Sequence, residues 1–163
     1  MSLFSAFDLA AANQGLENTQ ELSILCAEPQ HLAPIASIEH QTAAYPCSNQ
    51  QILDCIDQTI VLLQGSIVIG FAVIVSVENQ AELHNIAIAP QQQGVGFGSL
   101  FLNALISALP SIVEKIYLEV RVSNFRAIRL YQRMGFSKIA ERKDYYRSGL
   151  GREDAVIMAR VCR

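Results

Sequence analysis

No lysine or arginine occurs before Lys115 in this chain of 163 residues. The opening stretch MSLFSAFDLAAANQG therefore lacks the charged start of a secretory signal, and residues 1–20 are expected to form a flexible, weakly structured leader. Residues 1–114 carry ten acidic residues and nothing basic, whereas 115–163 hold all 12 basic residues with five acidic ones, formally −10 and +7. Such asymmetry has two readings: an anionic ligand meets the basic half and a cationic one the acidic half, or the two folded halves neutralise each other. The basic residues never form a run of five or six, which speaks against a nucleic-acid surface.

Metal-type cysteine spacing is also missing. Cys26, Cys47, Cys55 and Cys162 form no CxxC or other close pair, and His31, His40 and His84 are scattered, so neither a metal site nor a disulfide framework is expected. Reduced thiols point to the cytoplasm. The longest apolar run, Ile67 to Val77, is broken by Gly70 and Ser76 and falls short of the about 20 residues that span a bilayer, so no membrane partner is expected. With 51% hydrophobic residues, the length suits one domain with a sizeable core.

What is present is a clear order of elements. Glu21–Ala27 reads as a first strand ending at Pro29, and His31–Thr42 places Leu32, Ile35, Ala36 and Ile38 at helical spacing. Ser48 is a candidate cap for a short helix carrying Ile52, Leu53 and Ile56. Thr59–Leu63, Ile67–Val77 and Glu82–Ala89 are rich in β-branched residues and joined by short turns, which predicts three antiparallel strands. A helix over Ser99–Leu109, a strand over Lys115–Arg121 and a helix capped by Ser123 or Asn124 and stopped at Gly135 complete a crossover unit. Two closing strands, Phe136–Ala140 and Ala155–Val161, are expected to flank a polar loop over Glu141–Asp154. The whole is an α/β (α+β) domain: about four helices around a mixed, mostly antiparallel sheet of about six to seven strands.

Between a strand and a helix lies Gln91-Gln92-Gln93-Gly94-Val95-Gly96-Phe97-Gly98. Glycines there let a ligand approach the backbone, and the unpaired amides at a helix start favour a phosphate or pyrophosphate. No GK[ST] follows, and the alternating glycines do not form GxGxxG. A glycine turn used only for packing remains the alternative.

The motif Gln91-x-x-Gly94-x-Gly96, followed downstream by Ser123-Asn124 and Ala127-Ile128-x-Leu130-Tyr131-x-x-x-Gly135-Phe136, resembles the acetyl-CoA-binding core of the GNAT superfamily of N-acetyltransferases. The stretches AELHNIAIAP, YLEVRVSN and GREDA resemble its RimI-type branch, which acetylates the N-terminal alanine of a small-subunit ribosomal protein. The resemblance implies a single GNAT-like domain over 21–163, with acetyl-CoA as cosubstrate and a ribosomal protein N-terminus as partner. It implies that Ile86, Ala87 and Ile88 offer main-chain groups to the pantetheine arm. The amides of Gln93, Gly94, Val95, Gly96, Phe97, Gly98 and Ser99 would hold the pyrophosphate, and Asn124 would bond the cofactor arm unless it is only a helix cap. Many members carry arginine at or near Gln91; here the loop is uncharged, so Arg126, Arg129 and Arg133 are the candidate cations.

The same resemblance makes Glu119 the base and Tyr131 the acid of direct acetyl transfer. An α-amine has a pKa of about 7.7–8.0 and must lose a proton before attacking, and a departing thiolate needs a donor. The competing readings are an ion pair with Arg121 or a plain surface acid for Glu119, and an aromatic core position for Tyr131. Acceptor choice is assigned to Tyr45-Pro46-Cys47-Ser48 and to Lys143–Gly151, with Tyr45, Cys47, Tyr145 and Tyr146 as candidate substrate contacts. RimI-type relatives usually have tryptophan at Cys47 and often asparagine at Asp144. The alternatives in function are acetylation of a small amine, such as a polyamine or aminoglycoside, and a non-catalytic acetyl-CoA-binding domain.

Overall fold

A computed structural model describes residues 7–16, 21–149 and 151–162. Seven strands form one sheet: β1 (Leu22–Cys26), β2 (Thr59–Gln64), β3 (Ile67–Val77), β4 (Gln80–Ile88), β5 (Lys115–Arg121), β6 (Ser137–Ser148) and β7 (Gly151–Val161). Their order across the sheet is β1-β2-β3-β4-β5-β7-β6. Every neighbouring pair is antiparallel except β4 and β5, which the crossover helix forces to run parallel. The helices are α1 (Leu9–Gln14), α2 (Leu32–Thr42), α3 (Asn49–Asp54), α4 (Phe97–Ala108) and α5 (Phe125–Arg133).

The two faces of the sheet carry separate cores. On one, Leu62, Ile74, Leu83 and Leu118 pack with Phe101, Leu105 and Ala108 of α4. On the other, Val61, Leu63 and Phe71 lie under Ile35 and Ile38 of α2 and Ile52 of α3. The alternation along β5 sends Ile116, Leu118 and Val120 into the first core, which leaves Tyr117, Glu119 and Arg121 on the opposite face. Burying a leucine or phenylalanine contributes about 1.5–3 kcal/mol, so the α4 stripe anchors the helix that carries the glycine loop.

Two expectations need correction. The leader is not weakly structured where it is described: Asp8 caps α1, Phe7, Ala12 and Leu16 are buried, and α1 packs on α4. Asn13 also donates from Nδ2 to the Ile24 carbonyl at 2.9 Å and accepts the Ile24 amide at 2.7 Å, pairing with the free edge of β1. This helix was illegible because six residues are too few to show an apolar period. Residues 1–6 and 17–20 of that leader lie outside the described residues. Second, the expected loop over Glu141–Asp154 is largely strand, because β6 and β7 form one long hairpin. Their solvent-facing polar residues hide the alternation. Register shifts at Lys138/Ala140 and Arg142/Tyr146, with Asp144 at φ 51, show that the hairpin bends twice.

β4 and β5 part company half-way. They pair only from Gln80↔Lys115 to Leu83↔Leu118. The next residue, His84, is a bulge, since Leu83 faces Ile74 while Asn85 faces Val73. Beyond it β4 stays on β3 and swings clear of β5. Gly70 of β3 sits where a Cβ would come within 2.8 Å of the Ala87 carbonyl and 2.7 Å of Ile88 Cδ1. Gly70→Ala therefore pushes β4 into the opening. We expect it to cost about 1–3 kcal/mol, as overpacking does, read as a lower Tm in thermal denaturation.

Candidate active site

Where β4 and β5 separate, the sheet opens into a cleft of about 1020 Å³. One wall is β4 from His84 to Ile88; the other is Glu119, Val120 and Arg121 of β5 with the start of α5. One edge of β4 is spent on β3, but past Leu83 no strand pairs with the other. Its amides and carbonyls around Ile86, Ala87 and Ile88 are thus available to an extended ligand lying as an added strand. These three residues line the cleft, in keeping with the pantetheine role expected of them.

At the upper end sits the glycine loop. Gly94 (φ +85) and Gly96 (φ +98) take left-handed backbone, and a Cβ at either would meet nothing within 4 Å. No packing demand explains them: the positive φ and the open space fit a loop that a bulky anion can approach. Gly96 is the N-cap of α4 and supplies no side-chain cap, so the first-turn amides and the positive end of the helix dipole are left for a ligand. Gln93, Gly94, Gly96, Gly98 and Ser99 line the cleft, whereas Val95 points out and Phe97 is buried in the core. Gln91 lies in the 3-10 turn Pro90–Gln92, outside the lining. The expected cation is Arg126, whose Nη1 donates to Gln93 Oε1 at 2.8 Å, while Gln93 Nε2 donates to the Ile88 carbonyl at 2.8 Å. Arg133 also reaches the cleft; Arg129 does not.

Glu119 and Tyr131 face this cleft together. Glu119 is ion-paired through Oε1 with Arg142 Nη1 at 2.8 Å, not with Arg121 as the competing reading had it. Tyr131 is 7% exposed and its ring meets Phe136 at 5.8 Å, so the aromatic-core reading holds for the ring while the residue still lines the cleft. Burial, with a smaller effect of Tyr146, pushes its hydroxyl up to about 12. Tyr146 is likewise raised to about 12, by burial first and the neighbouring Glu119 second. Two phenols that burial keeps neutral thus line the same cleft as the Glu119 carboxyl, an arrangement able to accept a proton at one side and donate one at the other.

The acetyltransferase (GNAT) family model matches residues 24–136. This chain is a GNAT acetyltransferase. Among curated relatives it is 46% identical over 100 residues to the [ribosomal protein bS18]-alanine N-acetyltransferase of Haemophilus influenzae, covering 60% of this chain and 68% of that one. It is 36% identical over 141 residues to the enzyme of the same name from Escherichia coli K12, covering 84% and 95%. The crystal structure of the Escherichia coli ribosomal-protein-S18-alanine N-acetyltransferase superposes with a TM-score of 0.78 at 33% identity, covering 86% and 94%. The seven-stranded sheet with its helices is the GNAT fold, and acetyl-CoA is the donor that this family uses.

In this acetyltransferase, Asn124 caps α5, its Oδ1 accepting the Ala127 amide at 3.1 Å, and it also lines the cleft. The two alternatives for it are therefore compatible, because the cap uses only the oxygen. Tyr45 and Tyr146 line the cleft; Tyr145 lies in an adjoining hollow of about 660 Å³ shared with Glu119 and Tyr146. Cys47 is not brought to the cleft. It packs against the second core, and burial followed by Glu39 raises its thiol.

Sequence reasoning missed Glu39, Arg121 and Arg142. Glu39 is 4% exposed: its Oε1 accepts the Cys47 amide and its Oε2 accepts Asn85 Nδ2, both at 3.1 Å. It ties the α2–α3 connection to β4 beside the cleft. A polar residue in the buried stripe of α2 was the available signal. Charge partners, by contrast, are set by sheet register. Every ion pair of a lysine or arginine among the described residues joins two members of 115–163, so the acidic and basic halves do not neutralise each other by contact.

The raised Tyr131 hydroxyl gives a signed expectation. The folded chain keeps that proton from about pH 10 to about 12, while the unfolded chain, with an ordinary tyrosine near 10, loses it. This contribution is complete below pH 10 and vanishes as pH rises through 12. In denaturant titrations, stability falls with a steeper alkaline slope in the wild type than in Tyr131→Phe.

Proposed function

We propose that this acetyltransferase carries the acetyl group of acetyl-CoA to the N-terminal α-amine of a ribosomal protein, the alanine of bS18. Acetyl transfer follows from the family. The acceptor is supported by the names of the relatives, two of which are 36% and 46% identical. One arrangement carries the mechanistic reading: Glu119 and Tyr131 line a single cleft that runs up to the uncapped start of α4. The pyrophosphate is held at Gln93–Ser99 with Arg126 beside it, and the pantetheine arm runs along Ile86–Ile88. Asn124 bonds the arm through the half of its amide that the cap leaves over.

The reaction is direct, within a ternary complex. Glu119 Oε2 accepts a proton from the incoming ammonium group through a water molecule. The free amine attacks the thioester carbonyl, a C–N bond forms and the C–S bond breaks. The nitrogen of the adduct gives its second proton to water, Tyr131 gives its own to the departing thiolate and is reprotonated from solvent, and Glu119 returns its proton to water, so the products are the amide, the free thiol and one released proton. Arg142 steadies Glu119, and Tyr146 stands beside it. The acceptor enters between the Tyr45–Ser48 segment and the β6–β7 hairpin. Acidic residues of the first half, not answered by ion pairs from the second, suit a basic peptide in the cytoplasm.

Peptides beginning with Ala, Ser and Met, incubated with enzyme and acetyl-CoA, test the assignment by mass spectrometry. Acetylation of the alanine peptide is expected; an untouched peptide beside an acetylated polyamine overturns the acceptor. Glu119→Gln and Tyr131→Phe are each expected to lower kcat/KM by about 10²–10⁴-fold, the range for a lost acid or base. In the absence of acceptor, intact-mass spectra should show no acetylated enzyme, since the sequence gives neither Cys47 nor Cys55 the paired base of an acyl-enzyme nucleophile. Raising salt from about 0.05 to about 0.5 M should increase the peptide KM while altering kcat little, because exposed charges are screened.

A further inference from the structure

The two segments flanking the acceptor side of the cleft, 101 positions apart at Tyr45 and Tyr146, are joined through one side chain. The Arg121 guanidinium lies 5.3 Å from the Tyr45 ring centroid and 4.4 Å from that of Tyr146. Its Nη1 also donates to the Arg147 carbonyl and to Glu153 Oε1, each at 2.7 Å. The hairpin side of this link is thus fixed by two hydrogen bonds and an aromatic face. The other side rests on the aromatic face alone, and Tyr45 is 50% exposed. Below it, Glu39 pins the same segment at Cys47.

A planar cation held between two rings is stronger than either contact alone, since stacking on one face leaves the other free and neither ring competes for the N–H groups. Arg121 sits on β5 two residues after Glu119, on the same face of the sheet. The tie therefore crosses the opening next to the carboxylate, making an edged entrance out of a groove.

We propose that Arg121 is a positioning residue for the acceptor: clamped by Tyr45 and Tyr146, it holds the α2–α3 connection against the β6–β7 hairpin and sets the width of the acceptor entrance. The inference rests on the acetyl-transfer reading of this cleft. It adds a residue that governs the acceptor, because Arg121 meets the rings of Tyr45 and Tyr146, whereas the glycine loop is held by Arg126 through Gln93. A slack entrance binds an extended peptide less well but still admits a slim amine.

The test compares Tyr45→Phe, Tyr45→Leu, Arg121→Lys and the double variant Tyr45→Leu/Arg121→Lys. The probes are the alanine-initiated bS18 peptide, spermidine and acetyl-CoA. Phenylalanine keeps the π-face, whereas leucine removes it, and lysine keeps the charge but not the planar fork. We expect both Tyr45→Leu and Arg121→Lys to raise the peptide KM about three- to tenfold, the scale of a lost cation–π contact, and Tyr45→Phe to raise it clearly less than Tyr45→Leu does. The KM for acetyl-CoA stays unchanged, the ratio of spermidine to peptide turnover rises, and the double variant is no worse than the worse single one. The proposal is overturned if phenylalanine and leucine at 45 behave alike, if the acetyl-CoA KM rises in step, or if the two substitutions add.

Amide hydrogen exchange supplies an arm independent of the acceptor. Residues 43–47 should exchange faster in Arg121→Lys than in the wild type, and an unchanged rate there also overturns the clamp. If the wild type leaves the peptide unacetylated, the bS18 assignment fails on its own, and exchange still decides the role of Arg121.

Discussion

Everything functional in this chain depends on two parallel strands that pair for four residues and then separate. Parallel pairing is obligatory once a helix connects β4 to β5, and a bulge at His84 ends it. A sheet normally has no room for a ligand between neighbouring strands. Here the lost pairing leaves a run of backbone donors and acceptors that only an extended molecule can satisfy, so the cost of parting the strands is recovered on binding. Gly70 keeps the departing strand flat on β3, and the α4 stripe buried in the core presents the glycine loop at the top of the gap.

The proposed acid and base lie at the same parting. Glu119 is the first β5 residue past the last paired position, so its side chain stands at the edge of the gap rather than over a continuous sheet. The phenol of Tyr146 approaches it from the hairpin, that of Tyr131 lines the same cleft from a helix, and burial keeps both protonated. Arg142 and Arg121 then divide the work of holding the hairpin, one on the carboxylate and the other on the rings. Among the described residues, every ion pair of a lysine or arginine stays within the second half of the chain.

The sequence made β1 to β5, α2, α4 and α5 legible because each carries a strong period or a capping residue: Ser48 and Asn124 cap as their spacing predicts. The glycine loop was singled out by its composition and the pair Glu119 and Tyr131 by family resemblance, and the structure brings them to one cleft. What escaped was non-local. The length of β6 and β7 follows from their pairing with each other, not from hydrophobicity, and their polar residues gave no alternation to read. Cys47 was placed near the acceptor by its position beside Tyr45, yet its backbone amide is committed to Glu39, 46 residues from the Asn85 that Glu39 also holds. Such three-way contacts have no sequence signature.

The Asn13 amide paired with Ile24 has one more meaning. A sheet of seven strands has two open borders, and an unpaired border invites a foreign strand. At β1 a side chain occupies that border, imitating a strand with a single residue. At β6 the border is defended by charge instead, with Lys138, Glu141, Arg142 and Lys143 along it. A chain begun after residue 20 would therefore be expected to present an unpaired strand edge at the end of the sheet farthest from the cleft.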